Sequence, residues 1–253
     1  MIGDMQRWTP NVASIIEHAK EFHPKKEVIS RMVSGDVHRT NYEEVCIRSR
    51  KLASALEKDG YKKGDVIATL ALNTYRHLEM YYGISGMGAI CHTLNFRLHP
   101  EQAVYIINHA DDKIIFCEVP FIPIMEGLKD QLPCVEKYII LCDEADMPET
   151  GLKNAVSYEE YINNGDEDYV WPAMEDDAAC GLCYTSGTTG NPKGVLYSHK
   201  SNILHAQASL VGMPIGPDES ILMVVPLFHV LAWGIPYYGP MNGSKLVMPG
   251  MQM

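Results

Sequence analysis

"YTSGTTGNPKG", residues 184–194, is the stretch that decides the fold of this chain. It is rich in glycine and hydroxyl side chains and carries one proline and one lysine. The sequence before it, "AACGLCY" (178–184), is mostly apolar and predicts a buried strand. The sequence after it, "VLYSHKSNILHA" (195–206), predicts a short strand leading into a helix, with Ser198 as the N-cap. A long polar loop between two ordered elements is typical of a binding site.

The composition of this loop suits a polyphosphate ligand. Glycine tolerates positive φ angles and lets the backbone approach a ligand closely. Successive N–H groups can then converge on an anion. Ser186, Thr188 and Thr189 add hydroxyl donors, and Lys193 adds a positive charge. The loop is not a Walker A motif, G-x-x-x-x-G-K-S/T, because Lys193 is followed by Gly194.

The overall composition excludes some classes of function. A chain of 253 residues with 46% apolar residues is long enough for one large α/β domain or two small ones. The net charge of −11 argues against a protein that binds nucleic acid. No stretch approaches the ~20 apolar residues of a membrane-spanning helix, so we expect no membrane insertion. The beginning, "MIGDMQRWTPN", lacks the apolar core of a signal peptide, and we therefore expect a cytoplasmic protein.

The cysteines do not suggest disulfides or a zinc site. There are seven of them, an odd number scattered along the chain. Cys180 and Cys183 form a C-x-x-C pattern, but they lie in an apolar run with no second pair nearby. We interpret both as small apolar residues of a buried strand.

Strand-like and helical patterns alternate along the chain. Continuous apolar runs predict strands, at 65–72, 113–117, 137–142, 178–184, 221–225 and 245–248. A capping box at Thr40–Glu43 predicts the start of one helix, and Gly83, Gly86 and Gly88 indicate close packing of another. The acidic segment 143–177 predicts a linker or surface excursion. The alternation predicts an α/β fold of mostly parallel sheets flanked by helices, with ligands at the carboxyl ends of the strands.

Four stretches resemble the adenylate-forming enzymes, the family of acyl-CoA synthetases, luciferases and peptide-synthetase adenylation domains. "YTSGTTGNPKGV" (184–195) is similar to the phosphate-binding motif of that family, and "VVPLFHVLAWG" (224–234) to its segment around the carboxylate site. "YKKGDVIATLALNT" (61–74) and "LNFRLHPEQAVYIINHADDKIIF" (94–116) are similar to the N-terminal region of acyl-CoA synthetases. Within the family, "FHVLAWGIPYYGPMNGSKLVMPG" resembles medium- and long-chain fatty-acyl-CoA ligases most closely. The fold expected is the N-terminal part of the large domain of such an enzyme.

The resemblance implies a two-step reaction with ATP, Mg²⁺ and coenzyme A. A carboxylic acid, expected to be a fatty acid, reacts with ATP to give an acyl-adenylate and pyrophosphate, and the acyl group then passes to coenzyme A. By the same resemblance, Thr185 supplies a hydroxyl on the Mg²⁺ side. The phosphate cradle is implied to consist of Ser186, Gly187, Thr188, Thr189, Gly190 and Lys193.

Two further roles follow from the resemblance alone. His229 is implied to lie beside the substrate carboxylate and the α-phosphate, where it donates a hydrogen bond to developing charge or forms a wall of the site. Trp233 matches the residue that closes the acyl tunnel of fatty-acyl-CoA ligases. A tryptophan in an apolar run is more commonly a core residue, and that alternative stays open for Trp233. His199, beside the predicted N-cap, we interpret as a packing residue.

The sequence departs from the family pattern at its end. Family members run to roughly twice this length, and the chain has no counterpart of the adenine motif, the ribose-binding aspartate or the C-terminal domain with its lysine. We therefore expect an N-terminal fragment that is inactive alone, divided into subdomains 1–175 and 176–253. Exposed apolar surface should favour a homodimer. A non-catalytic nucleotide-binding module is the alternative function, and thioether, branched or benzoate-like acids are alternative substrates.

Overall fold

The computed structural model describes residues 8–175, 177–185, 191–213 and 215–252. Within these ranges the chain forms helices α1 Ala13–Phe22, α2 Tyr42–Lys58, α3 Tyr75–Gly86, α4 Pro100–Ala110, α5 Ile122–Leu128, α6 Tyr158–Asn163, α7 His199–Gly212 and α8 Ile235–Asn242. The strands are β1 Glu27–Arg31, β2 Val37–Asn41, β3 Val66–Leu70, β4 Ile90–Thr93, β5 Ile114–Cys117, β6 Lys137–Ile140, β7 Val156–Ser157, β8 Ala179–Thr185, β9 Lys193–Ser198, β10 Ser220–Leu222 and β11 Lys245–Met248. Across the same ranges, no helix combines the length and apolar character needed to cross a bilayer.

A seven-stranded sheet forms the centre of the fold, in the order β7-β6-β5-β3-β4-β8-β9. Its neighbours are parallel except for β8 and β9. Ile67 and Phe116 point into a core shared with α2 and α3, whereas Ala68 and Ile115 point into a second core under α4 and α5. Both faces are therefore covered, which explains the continuous apolar runs of β3 and β5. The expected α/β class is confirmed.

A four-stranded sheet has the order β10-β11-β1-β2, with β1 and β2 antiparallel and the other neighbours parallel. Strands β1, β2 and β4 had not been predicted, since their residues do not form long apolar runs. Each sheet takes strands from both sides of residue 176. The division of the strands between the two sheets therefore does not coincide with the predicted domain boundary at 175/176. That boundary stays a prediction about subdomains.

The prediction of a linker at 143–177 is wrong. The segment contains β7 and α6, and Tyr158 and Ile162 of α6 are completely buried in the core. Gly165 lies so close to α2 that an added Cβ would be 1.8 Å from the Lys51 carbonyl oxygen. The acidic composition suggested an exposed segment, but Glu159 forms ion pairs with Arg48 and Arg76.

Helix starts follow the expected chemistry, with one correction. The capping box predicted at Thr40–Glu43 is displaced by one residue, because Asn41 is the N-cap of α2 and its side-chain oxygen accepts from Glu44 N–H at 2.9 Å. Ser198 caps α7 as predicted. His199 is buried, its Nδ1 accepts from Val12 N–H at 3.1 Å, and burial lowers its pKa to about 4. Its interpretation as a packing residue is confirmed.

Two other local predictions are confirmed by packing. A Cβ added at Gly83 would lie 2.8 Å from Leu52 Cδ2, and one added at Gly86 would lie 2.6 Å from the Trp171 ring. Both glycines therefore allow α3 to pack closely against its neighbours. Cys180 and Cys183 are free thiols buried in β8. Their position therefore does not suggest a redox role for the C-x-x-C pattern.

Candidate nucleotide and acyl site

The glycine loop connects two antiparallel strands. The sequence predicted a loop between a buried strand and a short strand with its helix; in the structure β9 returns alongside β8 for its whole length before α7 begins. The chain thus reverses direction between Thr185 and Lys193, at the carboxyl end of β8. This end also carries the carboxyl ends of β4 and β3, since the three strands are parallel. The location matches the expected position of a ligand site in such a sheet.

Thr185 and Lys193 face each other across the mouth of the hairpin. They are register partners in the β8–β9 pair, and both are exposed. The Thr185 hydroxyl lies 3.5 Å from the Lys193 carbonyl oxygen. No carboxylate in the described part of the chain forms an ion pair with Lys193, so its charge is available to an anion. The other predicted cradle residues lie outside the described residues: Ser186, Gly187, Thr188, Thr189 and Gly190.

The second predicted motif contains an unusual turn. Val230, Leu231, Ala232 and Trp233 have φ angles of 49°, 49°, 49° and 55°, and Gly234 follows at 79°. Left-handed backbone costs about 1–2 kcal/mol for each non-glycine residue. Such a conformation persists only where surrounding contacts determine it.

The turn is held against β8. Leu231 and Ala232 are buried, and a Cβ added at Gly181 of β8 would come within 3.0 Å of Leu231 Cδ1. Cys183 of the same strand is buried in the same core cluster as Leu231 and Ala232. The strand that leads into the glycine loop therefore also carries the turn of the second motif.

His229 and Trp233 flank this turn with exposed side chains. The Trp233 side chain is 60% exposed, which excludes the alternative that it is a core residue. His229 is exposed as well, and its N–H donates to the Pro226 carbonyl at 2.9 Å. The described residues include no direct contact of either side chain with Thr185 or Lys193. Their roles in binding or catalysis stay predictions.

Asn73 is a site residue that sequence reasoning missed. It lies just beyond the carboxyl end of β3 and is only 1% exposed. Its Nδ2 donates to the carbonyl oxygens of Met223 and Val225, both at 2.9 Å, and its Oδ1 accepts from Leu227 N–H at 2.8 Å. The available signal was a polar residue directly after an apolar strand, in "ATLALNT".

Two more side chains hold the same segment. The Tyr81 hydroxyl donates to the Leu227 carbonyl. The Thr93 hydroxyl lies 3.5 Å from the Phe228 carbonyl oxygen. Together with Asn73, these residues connect the segment 223–228 to the seven-stranded sheet and to α3, which packs on it.

The fold and the two motifs allow a comparison with known proteins. The sequence profile of the family described as AMP-binding enzyme matches residues 16–252. The chain belongs to the AMP-binding enzyme family. The resemblance to adenylate-forming enzymes is thereby confirmed.

Proteins with sequences similar to this AMP-binding enzyme are CoA ligases. The chain is 45% identical over 252 residues to the medium-chain-fatty-acid–CoA ligase of Ectopseudomonas oleovorans, a match that covers 99% of this chain and 46% of the relative. It is 44% identical over 252 residues to the 3-methylmercaptopropionyl-CoA ligase of Ruegeria lacuscaerulensis, covering 99% of this chain and 47% of the relative. The chain thus spans about half the length of the curated relatives it matches.

A solved structure supports the fold of this AMP-binding enzyme. The crystal structure of a long-chain-fatty-acid-CoA ligase from Archaeoglobus fulgidus matches with a TM-score of 0.84 at 22% identity, over 98% of this chain and 50% of that one. At this identity the likeness concerns the fold alone. The expected N-terminal part of an adenylate-forming domain is consistent with that coverage.

Glu118 lies in a cavity of this AMP-binding enzyme. The sequence did not predict this cavity. The cavity has a volume of about 570 Å³ at the carboxyl ends of β5 and β6, and Arg76 and Asp143 line it as well. Glu118 is 1% exposed, and its Oε2 accepts from Leu72 N–H at 3.3 Å. Burial raises the pKa of Glu118 to about 7, while the Leu72 N–H and the charge of Arg76 act in the opposite direction.

Proposed function

We propose that this AMP-binding enzyme supplies the phosphate- and acyl-binding part of an AMP-forming carboxylate–CoA ligase. One observation carries the proposal: strand β8 leads into the glycine loop and also packs, at Gly181, against Leu231 of the turn between His229 and Trp233. Two motifs about 40 residues apart in the sequence are thus both adjacent to β8. The names of the similar proteins favour a ligase over a non-catalytic nucleotide-binding module.

The proposed reaction begins at the loop. A carboxylate oxygen of the acid attacks the α-phosphorus of ATP, a new P–O bond forms, and the bond to the β-phosphate breaks with release of pyrophosphate. Lys193, exposed and without a described acidic partner, stabilises the charge of the leaving phosphates. Thr185 offers a hard hydroxyl oxygen, the type of ligand that Mg²⁺ accepts. The other cradle residues, 186–190, are proposed from the sequence alone.

The second step takes place at the acyl carbon. The thiolate of coenzyme A attacks it, a C–S bond forms, and AMP leaves. His229 is the residue we place beside the reacting carboxylate, because it precedes the turn that packs on β8. We expect the chain of 253 residues alone to be inactive, since it spans about half of its relatives.

We propose an aliphatic carboxylic acid as the substrate. The relatives named for medium-chain fatty acids and for 3-methylmercaptopropionate both act on aliphatic acids. Trp233 then contacts the acyl chain from the exposed turn. Replacing Trp233 with alanine in a protein of the relatives' full length should change how acid binding depends on ATP, as measured by equilibrium binding of a medium-chain acid with and without Mg²⁺–ATP. An unchanged dependence would contradict the gate role.

We also propose a homodimer, a cytoplasmic location and a domain boundary at residue 175/176. A homodimer is favoured by β9, an edge strand of the described sheet with Leu196 exposed, and sedimentation velocity tests it. The cytoplasmic location and the division at residue 175/176 rest on the sequence alone.

Thermal unfolding tests the phosphate site directly. Mg²⁺–ATP and pyrophosphate should each raise the melting temperature, because a ligand that binds only the folded state stabilises it. At about ten times the Kd, the stabilisation is about 1.4 kcal/mol, or about 3 to 6 °C for a chain of this size. The shift should disappear in Lys193→Ala and persist in the matched control Lys153→Ala, whose lysine is also exposed. Equal shifts in both variants would contradict the role of Lys193.

A further inference from the structure

We propose that Asn73 is a positioning residue for the acyl side of the site. Its amide fixes the segment 223–227 and thereby the location of His229 and Trp233. The inference rests on the ligase function proposed above, because it assigns an effect on acid binding. Asn73 itself is buried and holds only backbone groups of this segment.

The amide of Asn73 bonds to three alternate residues of one segment. Met223, Val225 and Leu227 are all bound by Asn73, through two donated bonds and one accepted bond. An aspartate has the same shape but no N–H group, so it cannot donate to the carbonyl oxygens of Met223 and Val225. Asparagine at this position therefore satisfies three buried backbone groups with one side chain.

Asn73 also joins the two sheets near the site. It follows β3 of the seven-stranded sheet, and its own carbonyl accepts from Gly250 N–H at 3.2 Å, just after β11 of the four-stranded sheet. Met223 N–H donates to the Val247 carbonyl of β11 at 2.9 Å. The segment 223–227 is consequently held between the sheets, with Asn73 on one side and β11 on the other.

The consequences of losing this amide should appear downstream. Leu227 is two residues from His229, and the left-handed turn begins immediately after His229, at Val230. That turn needs outside contacts to persist. Gly181 of β8 lies against Leu231 and His205 of α7 lies against Gly234, but neither contact holds the segment 223–227 that precedes the turn. Without Asn73, the turn should shift and carry Trp233 with it, while Thr185 and Lys193 should stay in place.

Fluorine NMR of protein containing 5-fluorotryptophan tests the position of Trp233. The chain has three tryptophans, so Trp8 and Trp171 act as internal references. We expect Asn73→Asp and Asn73→Ala to shift or broaden the Trp233 resonance and to leave the other two unchanged. Asn108→Asp is the matched control, because Asn108 donates a single exposed bond to a carbonyl. An unchanged Trp233 resonance in a folded Asn73 variant would overturn the proposal.

Ligand titration separates positioning from general stability. Octanoate in the presence of Mg²⁺–ATP should perturb the Trp233 resonance, with a midpoint about tenfold higher in Asn73→Asp, whereas the thermal shift with Mg²⁺–ATP should be preserved. Equal weakening of both ligands would show a merely structural role and overturn the proposal. Tyr81→Phe, which removes one hydroxyl bond to Leu227, should shift the resonance in the same direction and serves if the Asn73 variants do not fold.

The same titration distinguishes the two hypotheses. If octanoate and Mg²⁺–ATP fail to perturb Trp233 in the wild-type chain while Asn73→Asp still shifts its resonance, the proposed acyl function is contradicted, and with it the acyl role of Asn73. If the wild type responds and Asn73→Asp responds at the same octanoate concentration, only the positioning role is overturned.

Discussion

Replacing Glu79 with leucine should lower the free energy of unfolding by about 3 to 5 kcal/mol, the largest stability effect that we expect in this chain. Glu79 of α3 is completely buried. Its carboxylate accepts from Arg48 Nε at 2.7 Å and from the Tyr158 hydroxyl at 2.8 Å. Leucine fills similar space but leaves both donors without an acceptor. Breaking one side of a buried ion pair is costly because the other charge stays buried.

The charges around Glu79 make the loss difficult to compensate. Arg48 also donates to Glu159 at 2.9 Å, and Arg76 donates to the same carboxylate at 3.0 Å. Without Glu79, Arg48 keeps only Glu159, which it shares with Arg76, whereas Arg76 is also paired with Asp143. The three helices α2, α3 and α6 are joined by this network, so its disruption should reduce the stability of the whole fold.

Urea unfolding followed by circular dichroism at pH 7 measures this effect. Glu27→Gln is the control, since Glu27 is also ion-paired, with Arg39 and Lys245, but on the surface. Its replacement should leave stability nearly unchanged. If both variants unfolded at the same urea concentration, the buried network would have no special importance.

Replacing Glu118 with glutamine should stabilise the protein above about pH 7, by up to about 3 kcal/mol. Burial raises the pKa of this carboxyl from 4.5 to about 7. Below pH 4.5 the group is protonated in the folded and the unfolded chain. Between pH 4.5 and about 7 only the unfolded chain loses the proton, so wild-type stability falls as the pH rises. Glutamine keeps an acceptor for Leu72 N–H and has no proton to lose.

Unfolding free energies from pH 4 to pH 8 measure the difference between wild type and Glu118→Gln. The variant should gain stability relative to wild type across the range between the two pKa values. Glu126→Gln is the control with the opposite sign, because Gly151 N–H and Thr150 lower the pKa of Glu126. A parallel pH dependence of wild type and Glu118→Gln would show that Glu118 titrates normally in the folded protein.

Much of the candidate site could be proposed from the sequence because its signals are local. The glycine loop, Thr185 and Lys193 lie in one continuous stretch whose composition indicates a phosphate ligand. His229 and Trp233 were marked by similarity to one short motif. Asn73 and Glu118 were not predicted, since each is a single polar residue after an apolar strand. The significance of such a residue depends on partners that are remote in sequence; Met223 is 150 residues from Asn73.

The sequence by itself determined the alternation of strands and helices, the parallel character of the central sheet and the place of the loop after β8. These features follow from the periods of apolar residues and from glycine, which act over a few neighbouring positions. Tertiary structure alone decided that β9 pairs antiparallel with β8, that α6 is part of the core, and that β1 and β2 join β11 in the second sheet. Such pairings depend on backbone hydrogen bonds and packing between distant segments, which a local residue pattern does not specify.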